Sequence, residues 1–198
     1  KDTLVITGPP GSGKTLLLIA RARWLASIHQ NWTIKVIAYN NLLVSYLSDL
    51  VQDLPNVEVS TFRDFARKRG DLIHEKDETR ALTDLNKAKR NGILKDNDAV
   101  LLDEAQDFFP AWIRYCLETA KPNKGGIVLV GDEQQSIYRD GSFAGAFLGH
   151  DVEVTKLDKP YRCTKQIMHF AEVLSGFKDD GRGELSPDGP PVDVIFSD

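Results

Sequence analysis

The chain has 198 residues and a net charge of −4; 41% of its residues are hydrophobic and 27% charged. That is an ordinary globular composition, with room for one well-packed domain or one domain and the start of another. No run of about 18 apolar residues occurs, which excludes a membrane-spanning helix, and the strongly basic balance that would point directly to nucleic acid is absent.

Short apolar runs read as buried parallel strands, each followed by a helical pattern. Leu4 to Thr7 is the first strand, followed by a Gly-rich turn and a helix over Lys14 to Ile28. Leu17, Ala20, Trp24 and Ile28 recur there at steps of three and four, which predicts one apolar face. Ile34 to Ala38 is a second strand, leading to a helix that carries Leu42, Leu43, Tyr46, Leu47 and Leu50. Val57 to Val59 is a short third strand. Residues Arg67 to Asp98 are dominated by charge and read as a short solvated insertion with one helix around Glu78 to Lys89. Strands follow at Ala99 to Leu102, Ile127 to Val130 and Val152 to Thr155. Asp179 to Pro191 has loop composition, and Val192 to Phe196 reads as the beginning of a strand. The alternation predicts an α/β domain, a parallel sheet with helices on both faces.

Two cysteines, Cys116 and Cys163, stand without a CxxC or a histidine cluster, so buried free thiols in a reducing, cytoplasmic compartment are expected rather than a disulfide framework or zinc site. The first strand leaves no room for a signal peptide before it. The single methionine is Met168, so the chain is expected to be a piece of a longer protein.

Gly8-Pro9-Pro10-Gly11-Ser12-Gly13-Lys14-Thr15 fits the phosphate-loop pattern GxxxxGKT between a buried strand and a helix. Its glycines let backbone N–H groups turn inward around a phosphate, and the helix N-terminus adds its positive dipole end. Lys14 suits the β- and γ-phosphates, and the Thr15 hydroxyl suits Mg²⁺. The second acidic feature is Asp103-Glu104-Ala105-Gln106-Asp107, after a buried strand. Asp103 is placed to hold the metal, and Glu104 to orient or deprotonate an attacking water. Together they predict ATP and Mg²⁺ as ligands, without saying what the energy drives.

The acidic box reads DEAQD. Val130 to Tyr138 reads VGDEQQSIY, and Leu157 to Arg162 reads LDKPYR. This ordered set resembles superfamily 1 helicases of the UvrD/Rep/PcrA type, over roughly Leu4 to Leu174. The resemblance implies a P-loop, RecA-like motor domain over 1–156, with 67–98 as the short insertion, and the truncated start of a second motor domain over 157–198. It implies that Gln135 senses the γ-phosphate, that Arg162 reaches the γ-phosphate from the second domain, and that Tyr161 stacks on adenine. Gln106 and Asp107 would tie the acidic box to the Gln135 segment.

Tyr39 and Asn40, after the second strand, and Thr61 and Phe62, after the third, resemble boxes that contact a single strand; Tyr39 and Phe62 fit the edge of a core equally well. Tyr138 and Phe143 would complete that surface. Phe143 follows an inserted stretch that lacks the usual arginine, and Pro160 stands where asparagine is usual. The implied activity is a DNA-dependent ATPase that moves along single-stranded DNA, or DNA with a single-stranded tail, and unwinds duplex. Its partners would be that DNA and the remainder of the second motor domain. The alternative is a P-loop translocase or remodeller that does not unwind. By itself the chain is expected to hydrolyse ATP weakly, because later boxes lie beyond Asp198.

Overall fold

A computed structural model describes residues 3–74, 76–132, 152–159, 161–162, 164–175 and 186–193. Six strands form one sheet: β1 (Thr3–Thr7), β2 (Ile34–Ala38), β3 (Val57–Thr61), β4 (Ala99–Leu102), β5 (Gly126–Gly131) and β6 (Val152–Lys156). Their order is β3-β2-β4-β5-β1-β6, and every pairing is parallel. All C-terminal strand ends therefore share one edge of the sheet. The phosphate loop follows β1 and the acidic box follows β4, with only β5 between those strands.

The α-helices among the described residues are α1 (Lys14–Ile28), α2 (Asn41–Val51), α3 (Phe62–Lys68), α4 (Glu78–Asn91), α5 (Pro110–Thr119) and α6 (Lys165–Ser175). Alternate strand residues face opposite sides, as the pleat requires. Leu101, Val128 and Val36 join Leu18, Ala22, Leu25 and Leu47 of α1 and α2 in one core. Val100, Leu102 and Leu129 join Phe65, Leu85, Trp112 and Tyr115 of α3, α4 and α5 in the other. This is the expected α/β architecture, with helices on both faces.

Local chemistry fixes the helix starts. Side chains of Asn40, Thr61 and Asp77 accept the backbone N–H of Leu43, Asp64 and Arg80, capping α2, α3 and α4. Pro110 begins α5, where its missing N–H costs nothing.

Several expectations need correction. The predicted apolar face of α1 points outward: Leu17, Trp24 and Ile28 are 43%, 52% and 50% exposed, while Leu18, Ile19, Ala22, Leu25 and Ala26 are buried. The continuous run Leu16 to Ile19 fits two apolar stripes one residue apart, and the phosphate loop, which buries Lys14, sets the phase. On α2, Leu47 and Val51 are buried and Leu42 and Tyr46 are exposed. The charged insertion is not wholly solvated either, because Ala81, Leu85 and Ala88 of α4 enter the core. Near the C-terminus, Val192 and Asp193 are not in a strand, and the rest of the expected strand there lies outside the described residues.

Cys116 is a buried free thiol, and burial pushes its thiol far above the ordinary range. Cys163 lies outside the described residues. No described helix is long and apolar enough to cross a membrane.

Candidate active site

The loop after β1 turns on Gly11 and Gly13, at φ 73° and 91°, in the left-handed region that disfavours any Cβ. At Gly8 a Cβ would stand 2.7 Å from the Leu157 carbonyl oxygen and 2.8 Å from Ser12 Oγ. Lys14 is 8% exposed. Its Nζ donates to the carbonyls of Gly8 and Pro9 at 2.7 and 2.9 Å. Burial lowers its pKa, opposed by the carboxylates of Asp132, Glu104 and Asp103. Ser12 Oγ is buried without a hydrogen-bond partner.

Thr15 Oγ1, at the start of α1, donates to the Asp103 carboxylate, 3.2 and 3.1 Å from its two oxygens. Eighty-eight residues separate the two in sequence, and the parallel sheet joins them. Asp103 is 1% exposed. Burial, and then the Glu104 charge, push its carboxyl up to about 6. A buried carboxylate beside a hydroxyl is an oxygen donor set that fits a hard divalent cation. The unpartnered Ser12 Oγ and the glycines of the loop fit an anion next to it.

Glu104 adopts φ 50°, unusual for a residue with a side chain. Its carboxylate accepts from Gln106 Nε2 at 2.7 Å. The other end of that amide, Oε1, accepts from the backbone N–H of Asp132 at 3.0 Å. At Gly131 a Cβ would come within 2.6 Å of Gln106 Oε1, so glycine there lets the amide lie against the end of β5. Gln106 thus ties the acidic box to the start of the segment that carries Gln135. Gln135, Tyr138 and Phe143 themselves lie outside the described residues. Asp132 is 3% exposed and acts electrostatically on Lys14. It was not among the sequence-derived site residues, although it is a carboxylate ending a buried strand at the same edge as Asp103.

Tyr161 and Arg162 come to the same loop. The Tyr161 N–H donates to the Gly11 carbonyl at 2.9 Å, and the Tyr161 side chain is 68% exposed. A Cβ on Gly11 would lie 2.4 Å from Arg162 Cβ, and the Arg162 charge opposes that of Lys14. The segment is anchored by Leu157, whose N–H donates to Thr7 O at 2.8 Å.

The residues expected at a nucleic-acid surface fare differently. Asn40 and Thr61 use their side-chain oxygens to cap α2 and α3. Tyr39 is half-buried, edge-on to Phe108 at 6.2 Å. Phe62 is 2% exposed and stacks on Trp112 at 4.6 Å between centroids. Of the two places the sequence left open for Phe62, the structure gives it the core one.

The sequence profile of the family AAA_19, described as an AAA domain, matches residues 1–140. Among solved structures, the chain is similar to the Hef helicase domain of Pyrococcus furiosus, with 14% identity, a TM-score of 0.45 and coverage of 78% of this chain and 35% of that one. It is also similar to domain III of the replication initiation protein DnaA of Thermotoga maritima, with 18% identity, a TM-score of 0.44 and coverage of 89% and 63%. The chain thus spans less than two thirds of both. No curated protein matches it significantly.

Proposed function

Because the chain belongs to the AAA_19 family of P-loop AAA domains, we propose that it is the ATP-binding core of a DNA-dependent ATPase of the superfamily 1 helicase type. In this reading residues 1–156 form the first motor domain and 157–198 begin the second. The observation that carries the proposal is the joining of Thr15 to Asp103, with Gln106 running from Glu104 to the end of β5. A hydrolase needs its metal-binding carboxylate and its base held in one frame, whereas a binding module does not.

Lys14 would hold the β- and γ-phosphates of ATP, and Thr15 and Asp103 would hold Mg²⁺, which neutralises charge developing on the phosphates. Glu104, kept at φ 50° and gripped by Gln106, would orient and deprotonate the attacking water. Arg162, beside Gly11 on the segment after β6, would bring a cation to the phosphate loop from the second motor domain. Tyr161 offers an exposed ring for the adenine. Closing and reopening the two domains with each ATP would step the motor along a single strand.

The compact insertion between β3 and β4, with one long helix packed into the core, favours a second reading, a translocase or remodeller that does not unwind. One experiment tests the first claim: ATP hydrolysis by the intact protein without polymer, with single-stranded DNA and with single-stranded RNA, using Glu104→Gln as the blank. Stimulation by DNA is expected. Hydrolysis indifferent to both polymers would discard the motor. Strand displacement on a tailed duplex then separates unwinding from translocation.

A further inference from the structure

Glu78 opens α4, on the opposite face of the sheet from α1, yet its carboxylate is tied to the helix that follows the acidic box. Glu78 Oε1 accepts the backbone N–H of Ala111, the second residue of α5, at 3.1 Å. α5 has no side-chain cap of its own at Phe109. The first turn of a helix leaves its N–H groups without intrahelical partners, and a carboxylate there also meets the positive end of the helix dipole. Glu78 therefore caps α5 from 33 residues upstream. A second tie lies beside it: Trp112 Nε1 donates to the His74 carbonyl at 3.0 Å. The Trp112 ring is fixed in turn, stacked on Phe62 at 4.6 Å and edge-on to Phe108 and Phe109 at 5.9 and 5.2 Å.

Little slack separates that capped turn from Glu104. The Asp107 N–H donates to the Glu104 carbonyl at 3.0 Å, and the Phe108 N–H to the Ala105 carbonyl at 3.2 Å. The N–H groups of Trp112 and Ile113 donate to the Phe109 carbonyl at 2.9 and 3.2 Å. Ala105, Phe108 and Ala111 are 0%, 1% and 0% exposed, so the segment is packed as well as bonded. Glu104 itself takes φ 50°. A residue with a Cβ holds such a conformation at a cost, and only where the surrounding structure dictates it. Upstream stands β4, where the Asp103 N–H donates to the Ile37 carbonyl at 3.0 Å. Downstream stands α5, whose first turn is fastened by Glu78 and by Trp112.

We infer that Glu78 is a positioning residue: by capping α5 it keeps Glu104 in its left-handed backbone conformation and the Glu104 carboxylate at the attacking water. This rests on the reading of Glu104 as the general base. Gln106 holds the tip of the Glu104 side chain, and Glu78 restrains the backbone that carries it. α4 enters the core through Ala81, Leu85 and Ala88, which gives the cap a rigid base. The insertion between β3 and β4 thereby acts in hydrolysis through α5 rather than at the phosphate loop.

The test is steady-state ATP hydrolysis by the intact protein, at a temperature where thermal melts show every variant folded. Glu78→Ala should lower kcat by roughly 5- to 100-fold, the upper figure being the cost of misplacing a reacting group by about 1 Å. KM for ATP should stay near the wild-type value, because Lys14 and Thr15 belong to the loop after β1. Glu78→Gln keeps an oxygen for the Ala111 N–H and should restore most of kcat. In a Glu104→Gln background, Glu78→Ala should cause no further loss, since it acts only through that carboxylate. A lower melting temperature with wild-type kcat would overturn the inference, as would an equal loss of kcat with and without the Glu104 carboxylate. Should Glu78→Ala not fold, Trp112→Phe keeps a ring against Phe62 and cuts the bond to His74. It should lower kcat in the same way, and wild-type kcat there would overturn the inference too. Unchanged turnover in Glu104→Gln alone would instead remove the base, and with it the reading of the site.

Discussion

Asp103→Asn should make the protein more stable, and only above a definite pH. The Asp103 carboxyl is raised from the ordinary aspartate value of 3.8 to about 6, first by burial and then by Glu104. Its protonated form is therefore favoured by folding. The stability linked to that proton is fully present below pH 3.8 and is lost as pH rises through 6. At neutral pH the folded state carries the full cost of the buried charge, roughly 3 kcal/mol by proton linkage. Asparagine has nearly the same shape, never ionises, and keeps an oxygen for the N–H of Glu104, which Asp103 now accepts at 3.1 Å. Allowing for a weaker contact with Thr15, a gain of about 1–3 kcal/mol is expected. For a chain of this size that raises the melting temperature by roughly 2–12 °C. Thermal melts of both proteins from pH 4 to pH 8, without divalent metal, read the difference directly. It should be close to zero at pH 4 and grow through pH 6. Adding Mg²⁺ at pH 8 should raise the wild type and leave Asp103→Asn unmoved. A gap independent of pH, or a variant less stable than wild type at pH 8, would refute the argument that Asp103 is a strained buried carboxylate.

Glu104→Gln should leave ATP binding intact and reduce turnover by roughly 10²–10⁴-fold, the usual contribution of a general base; unchanged turnover would remove Glu104 from the mechanism. Lys14→Ala should abolish nucleotide binding as measured by calorimetry, and ATP binding close to the wild-type level would mean that the loop does not hold phosphates as argued. Gln106→Leu leaves the buried Asp132 N–H without its acceptor, which costs about 1–3 kcal/mol, and frees the Glu104 side chain. Turnover should fall more than binding, and a loss confined to stability would reduce Gln106 to a packing residue. Phe62→Ala should cost about 3–5 kcal/mol, as for a buried aromatic. An unchanged melt together with abolished oligonucleotide binding would return Phe62 to the strand.

The phosphate loop was legible because each position answers a local demand that few residue types meet. Gly11 and Gly13 take positive φ, and Lys14 and Thr15 carry the polar groups the loop needs. The strands were legible for a similar reason, being short apolar runs between polar turns, and Ile34–Ala38 and Ala99–Leu102 fall where the pattern placed them. Two kinds of feature were not legible. The phase of α1 was hidden because Leu16, Leu17, Leu18 and Ile19 are all apolar, and the phosphate loop rather than the pattern sets which are buried. The roles of Asn40 and Thr61 were ambiguous because a small polar residue at a strand end serves a helix cap and a phosphate contact with the same atoms. Thr61 with Asp64 three residues later is a capping-box spacing, and it announces α3, which the apolar pattern alone did not.

What no local reading reaches is the balance at Lys14. Three carboxylates from two strand ends, Asp103, Glu104 and Asp132, pull its pKa up, yet burial outweighs them and the net direction is down. The ammonium is satisfied by two loop carbonyls, Gly8 at 2.7 Å and Pro9 at 2.9 Å. Those bonds hold the loop closed upon its own lysine. A phosphate entering the loop would exchange two neutral acceptors for charged ones, which bind an ammonium roughly twice as strongly. The gain is largest where water is least present, so burying Lys14 is costly in the free chain and advantageous once an anion arrives. The same reasoning applies to Asp103 with the opposite sign and a cation in place of the anion. Burial strains both groups in the free chain, and only the parallel sheet, with β5 alone between β1 and β4, brings the two charges together.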